Sequence, residues 1–295
     1  MNKEIWLWLL LVMGPNNDRT LKIVEHYGNV KKAAEAIRDG KCDLVTDEER
    51  ERAKTIRSRE VRNLIEECNA AEIRIITIED EEYPSLLKEI YEPPVVLFVQ
   101  GSLEGLYNEA VLAVVGTRNA SPYGLEITRR ICTELAAVGI TIVSGLAVGL
   151  DSTAHQCALD NGARTIGVLA CGHLVDYPVA SHNLKQNILR SGGALISELL
   201  PHTQTSGDYF KYRNRIISGL AMGTFITEAP ERSGCLLTAE HTIEQGRELF
   251  CLVPHDVMSP RYSGVISYLR DGAIPVFDHI DIINSLKQYI FKSLD

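Results

Sequence analysis

The stretch that most limits what this chain can become is V-L-A-V-V-G-T-R-N-A-S-P-Y-G, residues 111–124. Its first five residues are an apolar run of the kind a strand buried on both faces needs, and the run ends at Gly116, where the backbone can turn tightly. Ser121 then stands as a helix cap, Pro122 has the φ of a first helical residue, and Ile127, Ile131 and Leu135 recur at helical spacing up to Gly139. A strand, a glycine turn and a capped helix make a phosphate-sized hollow lined with N–H groups, with Arg118 in its rim. The same pattern also serves as a plain joint between strand and helix, so it defines an anion site before it defines an activity.

The 295 residues, 45% of them hydrophobic, are enough for one large domain and a small one. A net charge of -9 argues against a polycation that coats nucleic acid, but leaves room for a local basic groove. Seven scattered cysteines without a C-x-x-C pair predict a reducing, cytoplasmic setting and no zinc site, and no cofactor is expected. The apolar residues 5–13 are too short to span a membrane and lie beside Glu4, so they read as a core helix rather than a leader or an anchor.

Along the chain, residues 1–68 predict a small all-helical domain: helices over 5–13, 21–26 and 30–37, then the charged run 47–67, read as a solvated helix. Residues 69–295 predict an α/β domain. β-like runs at 73–78 and 95–99 are taken as the bridge into it. Apolar runs then begin near residues 111, 140, 165, 194, 224 and 249, roughly a β-α unit apart. This alternation predicts a doubly wound, mostly parallel sheet with helices on both faces and ligands at the C-terminal strand ends. A last strand over 274–277 and a helix over 280–290 complete it.

On such a rim, distant exit loops converge. The second exit, residues 144–151, has Ser144 before two glycines, Gly145 and Gly149, which allow close backbone approach, and Asp151 placed to cap the next helix. His155 reads as packed or superficial. Cys171 and His173 sit at i, i+2 with no identifiable third group to orient a base, so they do not read as a nucleophile and base. The run F-K-Y-R-N-R-I-I, residues 210–217, interleaves three cations with two aromatics, as a site for a single strand of nucleic acid requires. Arg213 shares a helical face with Ile216, Ile217 and Leu220, which predicts a loop-bracing role, whereas Arg215 and Lys211 on the other side are expected to contact phosphate. Ser233, Gly234 and Thr238 can offer amides and hydroxyls to a phosphate or simply start a helix. Thr227-Glu228-Ala229 closes the fifth strand.

In this order, Gly116-Thr117-Arg118 with Ser121-Pro122-Tyr123-Gly124, Ser144-Gly145-Leu146-Ala147 with Gly149-Leu150-Asp151 and His155, Tyr177-Pro178, Ser197-Glu198, Phe210 with Arg213-Asn214-Arg215, Glu228-Ala229, and Ser233-Gly234 with Leu237-Thr238-Ala239 resemble the DNA-processing protein A (DprA/Smf) family. The resemblance runs from about residue 5 to the end. It implies an extended Rossmann-like domain behind a helical domain of the SAM or helix-hairpin-helix kind, and no catalytic turnover. It also implies binding of single-stranded DNA in a basic pocket, self-association as a homodimer, and delivery of RecA recombinase onto DNA taken up in transformation. On this view Gly116, Arg118, Ser121, Tyr123, Gly124, Ser144, Gly145, Gly149, Phe210, Lys211, Tyr212, Arg213, Asn214, Arg215, Ser233, Gly234 and Thr238 contact DNA or phosphate, and Asp151 and Glu228 are structural.

The chain departs from the family pattern at Val148, usually arginine, at Ser181, usually asparagine, at Pro254-His255, usually Pro-Gly, and at the turn 14–17, usually a Gly-Ile-Gly hairpin. It also reads as lacking the C-terminal winged-helix module of some members. A lost groove arginine implies lower affinity and a shallower salt dependence. Two other readings fit the same rim. One is a nucleoside-monophosphate phosphoribohydrolase, whose Pro-Gly-Gly-x-Gly-Thr-x-x-Glu loop is matched only by Gly234, Thr238 and Glu240. The other is a scaffold with a decayed pocket.

Overall fold

The computed structural model describes residues 2–292. Five helices come first: α1 (Lys3–Met13), α2 (Arg19–Tyr27), α3 (Val30–Arg38), α4 (Asp47–Thr55) and α5 (Ser58–Ala70). Trp6, Leu7, Trp8, Leu9, Leu10 and Val12 of α1 are all buried, because this helix packs on α3, α4, α5 and the first two strands. A helix apolar on every side is stable in water only when every side is covered. The charged run is two helices rather than one, broken at extended Ile56, whose carbonyl accepts from Trp8 Nε1 at 3.3 Å. Nor is it wholly solvated. Thr46 and Glu49 form a reciprocal capping box, and Glu49, 3% exposed, also accepts from Arg19 Nη1 at 3.0 Å.

Then follow β1 (Arg74–Thr77), the single turn α6 (Ser85–Lys88), β2 (Val96–Gly101), β3 (Val111–Val115), α7 (Pro122–Ala137), β4 (Thr141–Ser144), α8 (Leu150–Asp160), β5 (Thr165–Val168), α9 (His182–Arg190) and β6 (Ala194–Ser197). The chain continues through α10 (Gly207–Gly219), β7 (Gly223–Ile226), α11 (Leu236–Glu244), β8 (Glu248–Leu252), α12 (Ser263–Arg270), β9 (Ile274–Val276) and α13 (His279–Lys292). The strands form one sheet in the order β1-β2-β6-β5-β4-β3-β7-β8-β9. From β6 to β9 every pairing is parallel, and β2 is antiparallel to both β1 and β6. The run at 73–78 and 95–99 is therefore part of the sheet rather than a bridge to it. Phe98 pairs with Ser197 and Gly101 with Ala194.

Alternate residues of β3 serve opposite faces, as strand geometry dictates. Leu112 and Val114 pack with Ile131 and Leu135 of α7, Ala154 of α8 and Ile282 of α13. Val111, Ala113 and Val115 belong to the other core, which includes Ile216 and Ile217 of α10 and runs without interruption into the N-terminal helices. The chain winds outward through β4, β5 and β6, then returns beside β3 as β7, so the switch point lies between β3 and β7. Ligands of open α/β sheets sit in the crevice at such a point. Thr117 N donates to Glu228 O at 2.9 Å and ties the two exits together there.

Candidate functional site

Two adjoining hollows open at the C-terminal strand ends. One, of about 330 Å³, lies at the switch point between the exits of β3 and β7 and is lined by Gly116, Thr117, Arg118, Asn119, Asp151, Asn214, Ser233, Gly234 and Thr238. The other, of about 100 Å³, is lined by Gly145, Leu146, Ala147, Val148, Leu169, Ala170, Tyr177 and Pro178. Arg118, Phe210 and Arg213 border both. The Arg118 guanidinium lies 5.3 Å from the Phe210 ring centroid, Arg213 lies 6.0 Å away, and Tyr177 meets the ring edge-on at 5.7 Å. Arg118 is exposed and Phe210 is half-buried. A cation and an aromatic face are thus displayed together beside glycine backbone.

What holds this rim is buried charge. Arg213 Nη1 donates to Gly145 O at 2.8 Å and to Val168 O, and its Nε donates to Asn214 Oδ1 at 3.2 Å. Asn214 Nδ2 in turn donates to Gly234 O at 3.2 Å, so one helix face joins three exit loops. Gly145 is glycine for a reason of space: a Cβ there would lie 2.7 Å from the Arg213 guanidinium nitrogens. Burial lowers the Arg213 pKa to about 10, against the opposing pull of Asp151. Asp151 sits inside the first turn of α8, whose cap is Gly149, and accepts from Gly145 N at 3.2 Å. Burial raises its carboxyl above the usual range, opposed by Arg213 and by the amides of Ala147, Gly116 and Gly145. Asp151 therefore links the two glycine turns rather than capping the helix. Ser181, at the position of a departure from the family pattern, donates to Leu146 O at 2.8 Å and supports that residue at φ 61°.

Several expected contacts lie elsewhere. Ser121 caps α7, accepting from Gly124 N at 2.9 Å, but the anion at this helix start is the protein's own. Glu228, fully buried, accepts from Ser121 N and Ser121 Oγ, both at 3.0 Å, and from Arg261 Nη1 at 3.1 Å. Ser121, Tyr123 and Gly124 line neither hollow, and Tyr123 packs on His255 with ring centroids 4.0 Å apart. A Cβ on Gly124 would fall 2.1 Å from Glu228 Oε2. Gly124→Ala is therefore expected to destabilise the fold by about 1–3 kcal/mol, read as a lowered urea midpoint, with little loss in a Gly124→Ala, Glu228→Gln background only if the clash is not the cause.

Arg215 is the largest correction. It is 6% exposed and makes a two-pronged pair with Glu198, Nη1 to Oε1 at 3.0 Å and Nη2 to Oε2 at 2.7 Å, so no charge is left for a phosphate. Lys211 and Tyr212 are exposed but line neither hollow, and Lys211 Nζ donates to Asp208 at 3.0 Å. Ser144 is buried, with its hydroxyl donating to Val114 O. Gly149, at φ +99°, admits the Arg118 loop, since a Cβ there would lie 2.7 Å from Thr117 O. His173 faces Phe98 O at 2.8 Å and Cys171 Sγ faces Val175 O, so the two side chains do not meet. Tyr177, Leu169, Ala170, Ala147 and Asn119, outside the expected contacts, also border the hollows. Leu169 and Ala170 follow β5 directly, a signal any exit-loop reading can use. Among the described residues no cluster of His, Cys, Asp or Glu could hold a metal, and no helix is long and apolar enough to cross a membrane.

A doubly wound sheet with a glycine-turn crevice at its switch point defines a Rossmann-like α/β protein. Residues 74–287 match the family described as DNA recombination-mediator protein A. DNA processing protein DprA of Bacillus subtilis (strain 168) is 38% identical over 221 residues, 73% of this chain and 72% of that one. Protein Smf of Escherichia coli K12 is 40% identical over 213 residues, 72% of this chain and 56% of that one. The crystal structure of DprA from Streptococcus pneumoniae superposes with a TM-score of 0.83 at 32% identity, covering 96% of this chain and 97% of that one. A Helicobacter pylori DprA structure, described by its single-stranded DNA binding mode, covers 74% of this chain and 98% of that one, at TM-score 0.65 and 28% identity. The chain belongs to the DNA recombination-mediator protein A family.

Proposed function

We propose that this chain binds single-stranded DNA without sequence preference in the two rim hollows. The observation that carries the reading is the exposed Arg118 cation stacked over Phe210 between them. Arg118 meets a phosphate, Phe210 offers a face to a base, and the turns at Gly116, Gly145 and Gly234 bring backbone amides close. Arg213, Asn214 and Asp151 set the positions of these turns and need no contact with the strand. The relative from Helicobacter pylori, described by its single-stranded DNA binding mode, supports the same ligand class. Membership of the family further supports a cytoplasmic binding protein that self-associates as a homodimer and delivers RecA recombinase to the strand, without catalytic turnover. The phosphoribohydrolase reading loses ground, because Glu240 lines neither hollow while Gly234 and Thr238 do.

Anisotropy of labelled oligothymidine tests the proposal. Single strands are expected to bind with a steep salt dependence and far ahead of duplex. Arg118→Ala is expected to weaken binding about tenfold and reduce the salt slope by about 0.7, while Val148→Arg, at a half-exposed position bordering the smaller hollow, steepens it by a similar amount. Equal affinity for duplex, or an Arg118→Ala protein that binds as before, overturns the proposal. Release of adenine from AMP would establish the enzyme instead.

A further inference from the structure

Among the described residues the Arg118 side chain makes no hydrogen bond or ion pair, only its contact with Phe210. The Arg213 guanidinium lies near the same ring, and two like charges so placed repel each other. What sets Arg118 in place is therefore the backbone that carries it, residues 117–121. Glu228, at the exit of β7, holds both ends of that segment: Thr117 N donates to its carbonyl at 2.9 Å and Ser121 N to its Oε2 at 3.0 Å. Between them Asn119, next to Arg118 and at the lining of the larger hollow, accepts through its carbonyl from Arg261 Nη1 at 2.9 Å. The same nitrogen donates to Glu228 Oε1 at 3.1 Å, one hydrogen serving each acceptor.

Arg261 reaches this loop from the far side of β8. The 3-10 turn Pro260–Tyr262 that presents it is itself anchored, with Tyr262 buried, Glu231 N donating to Ser263 Oγ at 2.9 Å and Gly264 N to Ala229 O at 3.0 Å. The Arg261 side chain is half-exposed but lines neither hollow, and the fully buried Glu228 carboxylate offsets its charge. A cation so placed is poorly suited to meet a phosphate and well suited to fix a carbonyl. A group held in its binding geometry beforehand loses less freedom when the ligand arrives. We propose that Arg261 is a positioning residue for single-stranded DNA binding: through the Asn119 carbonyl it holds the loop that sets Arg118 beside Phe210, and it does not touch the strand. The proposal rests on the strand-binding reading of the rim.

A double-mutant cycle with Arg118, read by oligothymidine anisotropy at several salt concentrations on the full chain, tests it. Arg261→Met keeps the apolar stem and removes the donors; it is expected to weaken binding about fivefold, with a salt slope within about 0.2 of the parent's. In an Arg118→Ala background the same change is expected to cost less than about twofold, because the side chain it positions is gone. Arg261→Met also strands the Glu228 carboxylate, so its Tm is expected to fall. Pairing it with Glu228→Gln removes that charge and keeps an acceptor for Ser121; this variant is expected to recover Tm but not affinity, and it carries the test if the single variant does not fold. A salt slope reduced by about 0.7 makes Arg261 a phosphate contact and overturns the proposal. So does an undiminished loss in the Arg118→Ala background, or an affinity that returns together with the Tm. If Arg118→Ala weakens binding and Arg261→Met does not, positioning by Arg261 fails while the strand-binding reading stands. A parent that does not bind, or an Arg118→Ala protein that binds as before, overturns both.

Discussion

Arg215→Ala is expected to destabilise the fold by about 3–5 kcal/mol while leaving the salt dependence of oligonucleotide binding unchanged. The charge it removes is not displayed to a ligand. It neutralises Glu198 in a site where both side chains are 7% exposed, so the variant strands a carboxylate away from water. Replacing both partners by leucine is expected to recover most of the loss, because the desolvation cost of two charges disappears along with their attraction. Urea midpoints of the two single variants and the double variant check this. Single losses under about 1 kcal/mol, or a double loss equal to the sum, would show that the pair is solvated and return Arg215 to the list of phosphate contacts.

The second large effect is on pH. His155 is fully buried on α8, with Nδ1 2.7 Å from the Thr165 hydroxyl, which itself donates to Ile142 O, so the ring nitrogen is the donor. Burial holds the imidazole neutral, its pKa down to about 3, with the Arg213 charge reinforcing the shift. The unfolded chain protonates this histidine near pH 6.5 and the folded chain does not, so the unfolded state binds more protons below that value. The stability this group contributes is present above pH 6.5 and is lost as pH falls towards 3. Between pH 7 and pH 5 the loss is expected to be about 2 kcal/mol. Urea midpoints of the parent and of His155→Gln at both pH values check it: the variant loses stability at pH 7 but sheds this part of the pH dependence. An unchanged pH dependence assigns the proton elsewhere.

The parallel strands from residue 111 onward were legible because each is a short apolar run about a β-α unit from the next, and residues 111–115 form β3 as read. The partnership of β2 was not, since Phe98 meets Ser197 across 99 positions and nothing local distinguishes a bridge from a buried strand. For α10 the helical period separated Arg213 from Arg215 correctly. Period gives the sides of a helix, however, not what meets each side, and on the side expected to contact phosphate Arg215 is taken by Glu198. The start of α7 shows the same limit. Ser121 reads as a cap, but the carboxylate that takes its amide is 107 residues away in sequence. Residues near a strand exit could be named; their ionic partners could not.

The glutamate seated at the start of α7 also bears on selectivity. Because that terminus already has its counter-ion, a monoester dianion arriving there meets repulsion where related sheets offer a cradle. The start of α7 is thereby closed to a phosphate, and under the strand-binding proposal the ligand is met instead by the exposed Arg118 and the Phe210 ring.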